Sequence, residues 1–241
     1  YAFTIGQSPF GKIYFESIKR KLRKSDGNSL FIISVDPWSI SSKSKDPNDI
    51  TLFRENGLCL DNTKIVNMKP NIIYLLNNVK GRNIDFLKNI DKKKTLLLKQ
   101  NGRLQVTVDM DAISVKKRLK RKIRSYNKKL RGYRFSEKRL AYLNTTIEFL
   151  KNYGSVYLIR LPIHPQIFKI ENRLMPDFEQ KIQTTKLLSD GYLDLTPRNA
   201  EFMYTDGNHL YKQSGRQVSN IIAHWITETK KKKENTPTTL H

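Results

Sequence analysis

Cysteine is nearly absent from this 241-residue sequence: Cys59 stands alone, which excludes an intramolecular disulfide and any cysteine-built metal cluster. No histidine lies near it in sequence, so Cys59 reads as a buried or inert thiol rather than a nucleophile. Acid is scarce too, with 22 Asp and Glu against 45 Lys and Arg, a formal net charge of +23. Long apolar runs are missing: none approaches the roughly 18 to 20 residues of a membrane-spanning helix, and no signal peptide opens the chain. Tyr1 falls inside a strand-like run, Ala2-Phe3-Thr4-Ile5, and the expectation is that a segment upstream of it carries any anchor or targeting signal.

What is present suffices for a globular fold, with 38% hydrophobic and 10% aromatic residues. The length suits one domain with a helical insertion: a single α/β domain over 1–229, a basic helical segment at about 113–135, and a flexible basic tail over 230–241. A general bias toward Lys, Asn and Ile produces positive charge without any polyanion partner, so its local distribution matters more than its total.

Along the chain, the run at 2–5 stops at Gly6-Gln7-Ser8-Pro9. Phe10, Tyr14, Ile18 and Leu22 then recur at helical spacing. Leu30 to Val35 is a nearly continuous apolar run, the pattern of a parallel strand buried on both faces, and completes a βαβ unit. Residues 39–61 read as a polar surface loop, and 71–76 as a weaker strand or helix. Thr95 to Leu98 and Leu104 to Val108 are expected to pair through Asn101-Gly102 as a hairpin. Residues 116–139 hold thirteen Lys or Arg and one acid, Glu137, while Val115, Leu119, Ile123, Tyr126, Leu130 and Tyr133 mark the inner stripe of an amphipathic helix. Ser136 is placed to cap a second helix, which stops at Gly154, and Ser155 to Ile163 returns as a strand. The second half of 167–189 reads as helix, 192–195 as a short strand, and Val218, Ile221, Ile222, Trp225 and Ile226 mark a last helix that frays at Lys230 to Lys233.

Asp206-Gly207-Asn208-His209 lies between that short strand and the last helix. A Ser-His-Asp hydrolase needs an imidazole to take the nucleophile's proton and a carboxylate to hold the ring in the right tautomer. Asp206 and His209, three residues apart on a loop, supply both, and Gly207 permits a tight backbone between them. In open parallel sheets, sites form at the carboxyl ends of the strands.

This arrangement resembles the SGNH hydrolase superfamily, also called GDSL, whose last sequence block is an Asp-x-x-His just before the closing helix. The resemblance implies a flavodoxin-like three-layer α/β/α fold with a mainly parallel sheet, and an esterase or O-acyltransferase acting on acyl groups, acetyl above all, of a carbohydrate. It implies His209 as general base then acid, Asp206 as its orienter, Gly6 as an oxyanion donor, no cofactor and no metal, and a cell-envelope or periplasmic setting. Two blocks depart from the family. Gly-Asp-Ser is absent, so either Ser8, in Gly6-Gln7-Ser8, is the nucleophile, or the nucleophile lies before Tyr1. The Asn donor of the third block is replaced at the strand end Ser34-Val35-Asp36-Pro37 by Asp36, which when ionised accepts hydrogen bonds and cannot stabilise an oxyanion. Asp36 is then an orienting or substrate-hydroxyl residue, with Asn77 or Asn78 as other donors. His164, in Arg160-Leu161-Pro162-Ile163-His164-Pro165, ends a strand where such enzymes face their substrate.

Other readings compete. Asp109 and Asp111 alternate like metal ligands but lack further partners, and His224 reads as a packed or surface residue. The basic helix is either a solvated face or a contact for an anionic glycan or membrane surface; a nucleic-acid interface, with Tyr126, Tyr133 and Phe135 stacking, is the less favoured reading. A domain of the same fold that has lost catalysis and binds polysaccharide or an assembly partner is the remaining alternative.

Overall fold

The computed structural model describes residues 10–22, 27–49, 96–98 and 104–234. The expected strand at 2–5, the segment 71–76, Gly6, Ser8, Cys59, Asn77, Asn78 and the end of the chain from 235 lie outside these residues. The elements in chain order are α1 (Lys12–Lys21), β1 (Ser29–Ser34), β2 (Ser41–Ser42), β3 (Leu96–Leu98), β4 (Leu104–Val106), α2 (Ala112–Leu130), β5 (Arg134–Phe135), α3 (Glu137–Lys151), β6 (Gly154–Arg160), α4 (Pro165–Leu174), α5 (Phe178–Lys181), α6 (Gln183–Leu188), β7 (Gly191–Asp194) and α7 (Lys212–Glu234). The fold is mixed α/β. Among the described residues its centre is a parallel three-stranded sheet in the order β1-β6-β7.

The middle strand carries the core. Val156 and Leu158 of β6 join Leu143, Ile147 and Leu150 of α3, Phe178 and Ile182 in one cluster, while Ile159 joins Leu195, Phe202, Tyr204 and Val218 of α7 in another. Alternation along β6 thus sends successive side chains to helices on opposite faces. At about 1.5 to 3 kcal/mol for each fully buried aliphatic side chain, this strand holds the two helical layers together. Ser136 accepts from the Arg139 backbone N–H at 3.4 Å and caps α3, as its position suggests. A third cluster, Ile163, Ile167 and Ile170, receives Leu119, Ile123, Tyr126 and Leu130 of α2, the inner stripe read from the sequence.

Several expectations need correction. β1 is not buried on both faces: among the described residues it stands at the sheet edge and alternates, leaving Leu30 47% and Ile32 51% exposed. An apolar run records propensity for a strand but not how many layers cover it. The second half of 167–189 is helical as expected, in α5 and α6, but the first half is helical too: α4 starts at Pro165, because proline pre-sets the first helical φ and the His164 ring accepts from the Gln166 N–H. The last helix does not fray at Lys230 but continues to Glu234, with Lys233 Nζ 2.9 Å from Asp190. The pairing of β3 with β4 is antiparallel as expected, with Leu98 opposite Leu104. The pairing of β2 with β5 has no sequence signature, being two residues on each side and fixed by Ser136 N–H donating to Ile40 O at 2.9 Å.

Candidate active site

The chain leaves β7 through a 3-10 turn (Thr196–Glu201), and a bridge between Tyr204 and Leu210 closes a tight loop over 205–209. Thr205 N–H donates to His209 O at 2.8 Å, and Tyr211 N–H to Met203 O at 2.8 Å. Just past the carboxyl end of β6, His164 N–H donates to Gly207 O at 2.8 Å, which ties the loop to that end of the sheet. Gly207 has φ +108°, and a Cβ there would stand 2.8 Å from Leu119 Cδ1 and 3.2 Å from Ile167 Cγ1. The loop is wedged between α2 and α4, and its positive φ at Gly207 is what favours glycine there.

This backbone brings the two expected residues together. His209 Nδ1 lies 3.0 Å from both Asp206 Oδ1 and Oδ2, and the His209 and Asn208 backbone N–H groups donate to Oδ1 at 3.1 and 3.3 Å. Lys122 Nζ reaches Oδ2 at 3.0 Å from α2. Burial works to raise the Asp206 carboxyl, but hydrogen bonds and charge from His209 and Lys122 outweigh it and hold the group well below the usual carboxylate range. The Asp206 side chain is 17% exposed and that of His209 67%, so the acid is a fixed, shielded base plate and the imidazole stands in solvent above it. With Nδ1–H given to the carboxylate, Nε2 is left as a proton acceptor on the open side, the tautomer a general base requires.

Arg118 and Lys122 were not singled out by sequence. Arg118 Nε donates to Thr205 O at 2.7 Å and its Nη2 to Asp109 O, so Arg118 and Lys122, one helical turn apart, both grip the 205–209 loop. Their i, i+4 spacing beside the apolar stripe was visible, yet in a helix with so many cations nothing marked these two.

The remaining expected residues are placed as follows. Asp36 closes its own turn, its Oδ1 accepting from Ser39 N–H at 2.8 Å; burial raises its carboxyl against the opposing pull of the Ser39 and Trp38 N–H groups and Arg160. His164 is half-buried at the start of α4, and its Nδ1 accepts from Gln166 N–H at 3.2 Å; burial lowers its pKa, which suits an accepting ring. Asp111 is the N-cap of α2, accepting from Ser114 N–H at 2.9 Å, and no group of potential metal ligands occurs among the described residues. His224 is exposed.

No family model, curated protein or solved structure matches this chain. The site therefore stands on its own geometry.

At the carboxyl end of β6, against α4 and α5, lies a buried polar group. Arg160 is 5% exposed, its Nη1 3.0 Å from Glu179 and its Nη2 3.9 Å from Glu171, with its guanidinium over the rings of Phe168 and Phe178. Burial raises the Glu171 carboxyl, and nearby Asp36 raises it further. A depression of about 500 Å³ lined by Arg160, Phe168, Phe178, Glu179 and Asp194 opens beside this group, and His209 is not among its walls.

The ion pair on Asp206 has a consequence for acid stability. A carboxyl whose folded pKa is depressed stabilises the fold above its unfolded value of about 3.9, and that contribution is lost as pH falls below it. Lys122→Met is expected to cost about 1 kcal/mol at neutral pH and to move the acid-unfolding midpoint, followed by circular dichroism, to higher pH. An unmoved midpoint would mean that the Lys122 contact contributes nothing in solution.

Proposed function

We propose that this chain is an SGNH-like domain of the flavodoxin-like, three-layer type, acting on ester-linked acyl groups of a carbohydrate as a hydrolase or O-acyltransferase. The observation that carries the reading is the Asp206–His209 pair: Nδ1 locked on a shielded carboxylate, Nε2 open, at the carboxyl end of a parallel sheet and ahead of the last helix. In the proposed reaction His209 Nε2 takes the proton from a serine hydroxyl as its oxygen bonds to the acyl carbon. The tetrahedral species then expels the sugar oxygen, which takes that proton back, and leaves an acyl-enzyme. Water or an acceptor hydroxyl reverses the steps to release or transfer the acyl group. Ser8 or a serine upstream of Tyr1 is the proposed nucleophile, Gly6 N–H the proposed oxyanion donor, and the cell envelope the proposed setting.

The test is hydrolysis of p-nitrophenyl acetate by the whole chain and by His209→Ala. Turnover that disappears in the variant supports the reading, and turnover that survives unchanged removes it. One observation favours a second reading, a silent domain that binds polysaccharide or an assembly partner. Lys122 holds Oδ2, one of the two oxygens at equal distance from His209 Nδ1, and so draws charge from what Asp206 offers the ring. Absence of turnover in wild type, with the proposed serine nucleophile present in the protein assayed, selects that reading.

A further inference from the structure

We infer that the outer face of α2 is a docking surface for an acidic polysaccharide, laid along the helix so that the chain passes the His209 loop. The proposal deepens the reading of the site as a carbohydrate ester site and rests on it for the choice of a glycan. Elsewhere on the described surface several cations stand beside carboxylates, Lys138 with Asp46, Lys181 with Asp177, Arg198 with Glu201, Lys231 with Glu228 and Lys233 with Asp190, and those that do not, such as Lys43, Lys169 and Arg216, are scattered rather than set in one row. On α2 only Lys122 does so, with Asp206. The helix itself contains no acid at all. Lys117, Arg121, Arg124 and Lys128 are exposed, and at spacings of four, three and four they form one row about 16 Å long. Among the described residues no carboxylate lies at ion-pair distance from any of the four. Charges of one sign set side by side repel one another, so an unpaired row is a standing cost that an anionic chain relieves, with release of its counterions.

The same helix argues against two other polyanions. Tyr126, and Tyr133 just past the end of the helix, pack edge-on against Trp38, with centroids 4.9 and 5.8 Å away, and Phe135 packs against the main core cluster, so the rings that would stack on bases are engaged within the protein. Leu119, Ile123 and Leu130 are occupied by the Ile163, Ile167 and Ile170 cluster, so the stripe that would enter a lipid surface is already used. The row is also joined to the site through the backbone: Arg118 and Lys122, on the flank beside Lys117 and Arg121, hold Thr205 and Asp206.

The experiment is a binding titration of the 241-residue chain with polygalacturonate, with neutral dextran, duplex DNA and phosphatidylglycerol-containing vesicles as parallel probes. The expected result is binding to polygalacturonate that weakens steeply as salt is added, no binding to dextran, and weaker binding to DNA and vesicles. A Lys117→Glu/Arg121→Glu/Arg124→Glu variant should lose affinity on the order of tenfold or more, while Lys117→Arg/Arg121→Lys/Arg124→Lys should keep it. All three side chains are exposed, and an unchanged thermal midpoint confirms that each variant is folded. The inference is overturned by failure to bind polygalacturonate at low salt, by a charge-reversed variant that binds like wild type, or by tighter binding of DNA or vesicles. Binding is read without turnover, so polygalacturonate binding by a protein whose esterase activity His209→Ala leaves unchanged removes the reaction and leaves the surface, and His209-dependent activity without binding removes the surface alone.

Discussion

Gly154→Ala is expected to lower the stability of the chain by about 4 kcal/mol, more than most single substitutions. Gly154 opens the central strand β6 with φ +153°, a conformation that side chains rarely adopt, and a Cβ there would stand 1.9 Å from the carbonyl oxygen of Ser29. The obstacle is backbone rather than the end of a flexible side chain. Ser29 and Gly154 are the first register partners of β1 and β6, and Ser29 N–H donates to Tyr153 O at 3.1 Å beside them. Relief requires the two strands to part where pairing starts, so strain of about 1 to 3 kcal/mol at the backbone adds to lost packing of Val156. Gly132→Ala is the control. Its φ is not positive and its nearest obstacle is the Lys43 side chain at 3.6 Å, so it should stay within about 0.5 kcal/mol of wild type. Urea denaturation reads both midpoints. A Gly154→Ala protein as stable as Gly132→Ala would show that β1 and β6 do not meet in this register.

Gly154 also shows what the sequence discloses. Its place after a capped helix and before an apolar run marks a helix stop, and the helix does stop there; the close approach to Ser29 lies 125 residues away in the chain and leaves no local trace. The same division runs through the site. Asp206 and His209 are legible because the chemistry needs two residue types at short spacing, and the loop that joins them is local. Lys122 and Arg118 are not, because their contacts cross more than 80 residues and their residue type is the commonest in their helix. Periodicity located the inner stripe of α2 correctly, since burial follows a helix's own geometry. It could not show that β1 would present Leu30 and Ile32 on an open face, since that depends on which layers the rest of the chain supplies.

If the proposed reaction is right, His209→Ala and Asp206→Asn should both be severe and should not add. Removing the imidazole leaves no group to take the serine proton, and in a Ser-His-Asp machine that costs about a thousandfold to a millionfold in kcat. Asp206→Asn keeps the shape of the loop but offers His209 Nδ1 an amide, which turns the ring to the tautomer with its proton on Nε2, facing the substrate. The expected loss is about ten-thousand-fold. It also breaks the Lys122 pair, so some loss could come from a loosened loop rather than from the tautomer. Lys122→Met separates the two: it removes the same ion pair and leaves His209 its carboxylate, so its loss in kcat should be far smaller than that of Asp206→Asn. In the double variant the carboxamide has no ring left to misdirect, and its rate should match His209→Ala alone. Rates on an acetyl ester at saturating substrate, compared at equal folded fraction, decide it. Losses that multiply in the double variant, or a Lys122→Met defect equal to that of Asp206→Asn, would reduce Asp206 to a residue that holds a loop in place.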